Sequence, residues 1–445
     1  MRQERFFRTV CRLAIPVGLQ SLLQASFGVI DQIMIGQLGS VDVAAVGLAG
    51  KFTGIFTVMV SAVSTVAGIM ISQYIGQKNR DEVRSSLTVN MLAAVGLAVL
   101  FTVMCIMFPT QIIGLYTQDK ATITAAVGYM TIVAGTFLPA AMANLLSTLL
   151  RCMEKASLPL YASFTAAILN TFFNYLLIFG KCGLPAMGVT GAAIATVIAQ
   201  AVNFLLILLL YWKYKNYLEM SSETERSEMR FNWPQYVSML LPILICEFMW
   251  SLGENVYAAI YGHLGTNATA AMTLLNPIQS LVIGALSGLS QAAGVIMGKL
   301  LGRGDRHEAY SASKKLILYG FVGSLFLSII VILVRPLYVS IYQVEKEVML
   351  LTGQIMIAYA LVAPFKVQNM IVGGGIIRSG GKTTYVMVID LIGTWIFGVP
   401  LGLMSAFVFH LTIPYVYFIL SLEECIRFGI SLIVLRRKNW MNSLK

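Results

Sequence analysis

The chain has 445 residues, of which 58% are hydrophobic and only 11% charged, with a net charge of +11. A water-soluble domain carries about 25% charged residues, so this chain has too little polar surface for a soluble body and lipid must be its solvent along much of its length. That setting removes the nucleic-acid reading that a basic balance would otherwise invite, because the position of the charges matters more than their sum.

Apolar stretches of the length a bilayer requires, roughly 20 residues, recur throughout. Taken in chain order, hydropathy predicts spans at about 13–35, 47–75, 88–108, 122–145, 158–180, 188–212, 236–262, 274–300, 314–334, 346–373, 383–403 and 413–435. Arg2, Arg5, Arg8 and Arg12 precede the first. They give it the flank of a signal peptide, but it is too long for one and lacks a small-residue cleavage pattern. Threaded from an inside N-terminus, the segments on the inner side hold 24 of the 31 Lys and Arg residues. The outer loops hold only Lys120, Lys181, Arg335 and Lys346. That asymmetry is the positive-inside pattern and predicts an even number of spans with both termini cytoplasmic.

The chain also repeats itself. At an offset of 226 residues, Pro16 falls on Pro242, Gly36 and Gly39 on Gly262 and Gly265, Ala44-Ala45 on Ala270-Ala271, and Gly76 on Gly302. After a one-residue shift, Pro139 and Asn144 fall on Pro364 and Asn369. Duplicated halves of six spans enter the membrane in the same sense, as parallel repeats. The expected organisation is a first six-helix lobe at 1–212, a polar cytoplasmic linker at 213–235 and a second six-helix lobe at 236–445. Two like lobes joined by a tether suit alternating access, and hence a transporter.

Catalytic chemistry finds little support. The six cysteines include no CxxC pair, and the three histidines are scattered, with no HExxH. No metal centre, cofactor or enzyme activity is expected. The string Gly375 to Thr383 resembles a phosphate loop but has Ile376 where the motif needs glycine, and it lies between spans. Small-xxx-small patterns such as Gly50-x-x-x-Gly54 and Gly398-x-x-x-Gly402 suit close helix packing.

Ionisable groups inside spans are costly and so mark candidate sites. Asp31 sits in an apolar run of the first span. Asn170 and Asn174, four apart, share one face of the fifth. With Thr196 in the sixth, all four lie about 6–15 Å from the outer ends of their spans at 1.5 Å per residue. A carboxylate, two amides and a hydroxyl suit a monovalent cation, or a carboxyl that takes up a proton. The second half is richer in acids: Glu247 and Glu254, two turns apart on one face of the seventh span, Asp390 in the eleventh, and Glu423 and Glu424 in the twelfth. Of these, Glu247, Glu254 and Asp390 join Lys366 of the tenth span as candidates for binding substrate or a proton. Lys366 either pairs with one of the acids or binds an anionic group, and Glu424 is spaced to neutralise Arg427.

Three motifs carry a family resemblance. They are Asp31-x-x-Met34-Ile35-Gly36-x-Leu38-Gly39 with Ala44-Ala45-x-Gly47, then Asn170-x-x-x-Asn174-Tyr175 running through Gly180-Lys181-x-Gly183 to Gly188 and Gly191-Ala192-Ala193, and Arg378-Ser379-Gly380-Gly381-Lys382-Thr383. Together they resemble the multidrug and toxic compound extrusion (MATE) transporters, in their bacterial NorM and DinF branches. The resemblance implies an all-α membrane protein of twelve helices in two pseudo-symmetric lobes, V-shaped and monomeric, in the bacterial plasma membrane. It implies export of small organic, mainly cationic, compounds against entry of Na+ or H+. It places cation coupling at Asp31, Asn170, Asn174 and Thr196, with Na+ a candidate ligand at the first three. Two rival functions remain in view. A flippase for lipid-linked precursors would carry more intramembrane Lys and Arg than Lys51, Lys366 and Arg427, and a channel would need a ring-lined pore.

Overall fold

The computed structural model describes residues 3–214, 231–342 and 344–444. Among them the chain is helical, with no strand. Eleven helices are long and apolar enough to cross a membrane. We number the spanning helices α1 to α12. The first six are α1 (Gln3–Gly36), α2 (Ser40–Gln77), α3 (Arg80–Met107), α4 (Lys120–Cys152), α5 (Ser157–Phe179) and α6 (Gly188–Tyr214). The rest are α7 (Trp233–His263), α8 (Thr266–Gly302), α9 (Arg306–Ser340), α10 (Lys346–Gly380), α11 (Thr383–Val408) and α12, built from Ile413–Ser421 and Glu423–Arg437. The twelfth predicted span is thus present as two pieces, split at Leu422 immediately before the Glu423-Glu424 pair. Many large apolar side chains point outward, Leu333 at 72% exposure among them, as lipid-facing helices require.

The repeat is visible in backbone geometry. The turn between α1 and α2 passes through Gly39 at φ +119°, and the turn between α7 and α8 through Gly265 at φ +114°. Only glycine takes up such a conformation without strain, which is why the same residue recurs at the offset of 226. Pro16 and Pro242 lie inside the equivalent helices α1 and α7. Side-chain caps start α3, α4 and α7: Asn79 accepts from the Glu82 N–H, Asp119 from Thr122 and Asn232 from Gln235. Hydrogen bonds from Thr122 hold the exposed Asp119 carboxyl below its ordinary pKa.

By contacts the chain separates into two compact units. One comprises Leu19–Ile71 and Lys78–Phe231, and the other comprises Met1–Gly18, Ser72–Gln77 and Asn232–Lys445. The contact boundary therefore departs from the repeat boundary at the N-terminal end of α1 and the C-terminal end of α2. Within the second unit, a Cβ at Gly18 would lie 2.6 Å from the Ala285 carbonyl oxygen, and one at Gly76 would overlap that of Lys299. The fully buried Gln73 donates to the Ser379 carbonyl at 2.6 Å and accepts from the Leu444 N–H at 2.8 Å. Trp440 is buried beside it, its indole N–H donating to Leu435. The C-terminal residues are thus part of this unit's core. Most of the expected linker, residues 215–230, lies outside the described residues.

The units differ in helix regularity. In the first, α4 carries a single 3-10 turn, Ala134–Thr136, just before Pro139. In the second, α10 widens into π-helix over Met370–Ile377, and α11 does so over Ile392–Gly398 and Met404–Val408. Such widened turns gather at functional sites because they turn side chains and glycines off the regular register.

Candidate functional site

The hairpin of α5 and α6 builds the polar site of the first unit. Gly180 ends α5 in the left-handed region at φ +64°, and Met187 N–H donates back to Leu177 at 2.9 Å. Gly191 then lets α6 press against α5: a Cβ there would lie 2.6 Å from the Leu177 carbonyl oxygen. The glycines of the second motif are the hardware of this close approach, and they bring the Asn170–Asn174 face of α5 onto Thr196 of α6. Apolar packing of Ile35, Ile178 and Ala192, with Tyr129 against them, seats α1 on the same hairpin.

All four residues singled out in this half meet there. Asn174, 1% exposed, donates from Nδ2 to Asp31 Oδ1 at 2.7 Å and to Asn170 Oδ1 at 3.2 Å. Asn170 Nδ2 lies 3.5 Å from Thr196 Oγ1, and that hydroxyl donates to the Ala192 carbonyl at 2.9 Å. The other terminal atom of the Asn170 amide stands 3.0 Å from both carboxylate oxygens of Asp31. With nitrogen in that place the amide donates to a bare carboxylate. With oxygen there, three oxygens converge, which is stable only if a proton or cation sits among them. No Lys or Arg forms an ion pair with Asp31 among the described residues. Tyr129, which hydropathy alone did not single out, packs against the Ile35, Ile178 and Ala192 cluster beside this site.

The second unit holds its acids differently. Asp390 of α11 accepts on one oxygen, Oδ1, from both Nε, at 3.1 Å, and Nη2 of Arg427 of α12. Arg427 Nη1 also reaches Glu424 at 3.4 Å, as the sequence spacing suggested, and Asn369 donates to the same carboxylate at 2.7 Å. The thiol of Cys246 donates to Asp390 at 2.9 Å. Glu247 pairs at 3.6 Å with Arg378, whose Nη2 also contacts Cys246. The string Gly375 to Thr383, expected between spans, is helical through Gly380, because α10 continues that far and brings Arg378 to Glu247. Room for the network comes from glycines on the π-helical stretch of α11. A Cβ at Gly393 would overlap Arg427, and one at Gly398 would overlap Tyr257 and Glu423.

Tyr257, the positional counterpart of Asp31 in the repeat, donates to Glu423 at 2.6 Å. Lys366 makes no ion pair within 4.0 Å among the described residues, nor does Glu254. Both line two adjoining chambers of about 260 and 560 Å³, whose shared wall also includes Gln279 and Glu424. Glu247 and Asp390 line only the larger chamber, and Glu423 only the smaller. No group of His, Cys, Asp and Glu suited to a transition metal occurs among the described residues.

The MatE family model matches residues 16–176 and again 242–404, so the two matches start 226 residues apart, the same offset at which the chain repeats itself. The chain belongs to the MatE family. Among MatE relatives, "Probable multidrug resistance protein NorM" of Agrobacterium fabrum is 30% identical over 316 residues, spanning 69% of this chain and 66% of that protein. "Multidrug resistance protein NorM" of Vibrio vulnificus is 23% identical over 90% of this chain and 88% of its own. In fold, the crystal structure of a MATE protein in the straight conformation superposes with TM-score 0.85 at 16% identity, over 97% of this chain and 96% of that one. An outward-facing MATE multidrug resistance transporter of the MOP superfamily superposes with TM-score 0.84 at 16% identity, over 98% of this chain and 99% of that one. The protein is an integral membrane transporter with the all-helical MatE fold.

Proposed function

We propose that this MatE transporter exports small organic compounds, chiefly cations, in exchange for Na+ or H+ by alternating access. The observation that carries the coupling half of this reading is the Asn170 amide, whose terminal atom stands 3.0 Å from both Asp31 oxygens. A 180° rotation of that amide exchanges a donor for an acceptor without moving any heavy atom appreciably. One orientation satisfies the ionised carboxylate, and the other completes an oxygen cage around a proton or a monovalent ion. The site can therefore be loaded or empty at little cost in packing, as an antiporter's coupling site must be. An ionised group at membrane depth is costly, on the order of 2.5–3.5 kcal/mol on insertion scales, which also favours retaining it only for function.

The export half rests on the relatives, which carry the name multidrug resistance protein, and on the excess of acids over bases among the intramembrane residues. The distribution of Lys and Arg supports a plasma-membrane orientation with both termini cytoplasmic. The test is efflux of a fluorescent organic cation from proteoliposomes under an imposed Na+ or H+ gradient. Efflux should follow one gradient and vanish when both are collapsed. Efflux that persists without either gradient would overturn the antiport reading.

A further inference from the structure

We propose that Trp440–Leu444 is a latch that holds the crossing of α2 and α8 shut and has to let go each time that crossing opens during transport. The inference deepens the proposed export function and rests on alternating access for the statement that the two halves of the repeat part there. It starts from the crossing itself, in the last two turns of each helix. Gly76 of α2 and Gly302 of α8 are counterparts at the offset of 226, and so are Gln73 and Lys299. A Cβ at Gly76 would overlap the Lys299 carbonyl, and one at Gly302 would overlap the Gln73 carbonyl. Each glycine meets the counterpart of the residue that the other meets, so the crossing is itself pseudo-twofold. Ser72 extends it by one turn: it is fully buried, and a Cβ at Gly298, its counterpart, would overlap its hydroxyl. Small residues let backbones approach this closely, and parallel repeats that rock against each other part where their equivalent helices meet.

What covers the crossing is not symmetric. The buried Gln73 donates to the Ser379 carbonyl at 2.6 Å and accepts from the Leu444 N–H at 2.8 Å. Gln77 donates to the Leu444 carbonyl at 2.7 Å and to the Ser443 hydroxyl at 3.1 Å. An amide both gives and receives hydrogen bonds, whereas Lys299 and Arg303, the counterparts on α8, have donors only. The Leu444 N–H therefore finds its side-chain acceptor on α2. From the other side the α10–α11 turn seats the segment. A Cβ at Gly380 would overlap the Trp440 carbonyl, and one at Gly381 would lie 3.0 Å from Leu444. Trp440, Met441 and Leu444 are buried. The segment thus ties the last turn of α2, from the first half of the repeat, to a turn of the second half. It starts beyond Lys438, which closes α12 in the left-handed region at φ +58°, so it can be withdrawn without unwinding a spanning helix.

The first test reads the crossing without transport. Ser72→Cys places a thiol inside it, and labelling of the full-length protein by N-ethylmaleimide in detergent, resolved by site with mass spectrometry, reports how often it opens. Native Cys105 and Cys152, both fully buried, report general loosening in the same sample. Gln77→Ala should speed labelling of Ser72→Cys about threefold or more and removal of 440–445 about tenfold or more, with Cys105 and Cys152 unchanged. Where the shortened chain does not fold, Gln77→Ala decides. An unchanged rate at Ser72→Cys, or an equal acceleration at all three thiols, overturns the proposal. The second test holds the latch closed: Gln77→Cys and Ser443→Cys are joined by a short bis-methanethiosulfonate in proteoliposomes. The linked protein should lose most of its efflux and regain it with dithiothreitol, while the single-cysteine variants treated alike keep theirs. Efflux that is as fast linked as reduced also overturns the proposal. If wild-type and reduced proteins alike show no gradient-driven efflux, the export reading is what fails, and labelling of Ser72→Cys still decides this one.

Discussion

Asp31 in the first unit is held by two amides, with a hydroxyl behind them, whereas Asp390, Glu424 and Glu247 in the second are held by Arg427 and Arg378. Both arrangements keep carboxylates at membrane depth, and the difference lies in what compensates them. Neutral amides satisfy the carboxylate's lone pairs without fixing its charge, so Asp31 can gain or lose a proton or a cation and still be hydrogen-bonded. A guanidinium supplies a permanent opposite charge and makes the acid part of the scaffold. The repeat thus placed equivalent helices in both halves and then filled them differently, with amides around an acid in the first and arginine pairs beside a chamber in the second. Among the described residues the π-helical turns fall on the second side only, where Gly393 and Gly398 clear space for the arginine and the Tyr257–Glu423 pair.

The largest expected effect breaks the frame. Arg427→Met removes the partner of two acids at once and strands them at depth. Loss of one member of a buried ion pair costs about 3–5 kcal/mol. Thermal unfolding in detergent should show a large fall in midpoint, partly restored by adding Asp390→Asn. If Arg427→Met melts like the wild type, the network is solvated and the contrast with Asp31 collapses.

Asp31→Asn should do the reverse, abolishing gradient-driven efflux, by about 100-fold or more, with little change in melting temperature. The amide is isosteric and still bonds to Asn174, but it takes up no proton and has no negative charge to offset a cation. Normal efflux by a folded Asp31→Asn protein would remove Asp31 from the coupling step. Gly398→Ala comes next in size. Its methyl would overlap the Tyr257 hydroxyl and Glu423, and overpacking of this kind costs about 1–3 kcal/mol. The corresponding change at Gly54, which faces open space, should leave the melting temperature unchanged.

Much of the first site was legible in the sequence because its determinants are local. Asn170 and Asn174 share a face by helical period, and the glycines that close the α5–α6 hairpin stand beside them in the same motif. The repeat was legible because Gly39 and Gly265 are required by backbone geometry rather than by partners. The network of the second unit was less so. Glu424 and Arg427 are three residues apart, and their pairing could be read from spacing. Asp390 lies 37 residues from Arg427, and Glu247 lies far along the chain from Arg378, so these pairs are set by how α7, α10, α11 and α12 pack. Spacing left Lys366 either to pair with one of the acids or to bind an anionic group, whereas Glu247 is reached by Arg378. Its position depends on π-helical turns over Met370–Ile377, which leave no periodic trace in an unbroken apolar run.

The smallest expected effect sharpens what Thr196 does. Its hydroxyl already donates to the Ala192 carbonyl at 2.9 Å, and the Asn170 nitrogen is 3.5 Å away. A hydrogen bond at that distance is weak. Thr196→Val keeps the shape and the β-branch, which suits a helix packed this closely, and removes only the oxygen. If Thr196 merely orients the Asn170 amide, half-maximal efflux should need about two- to fivefold more coupling ion, corresponding to less than about 1 kcal/mol. The maximal rate should not change, since the carboxylate and both amides remain. If the hydroxyl oxygen ligates the ion directly, losing it leaves a gap in the cage and the requirement should rise by well over tenfold. Ion-titration curves for wild type and Thr196→Val in the same proteoliposomes separate the two. The large shift would extend the exchangeable site from α1 and α5 onto α6, whereas the small one confines it to Asp31 and the two asparagines.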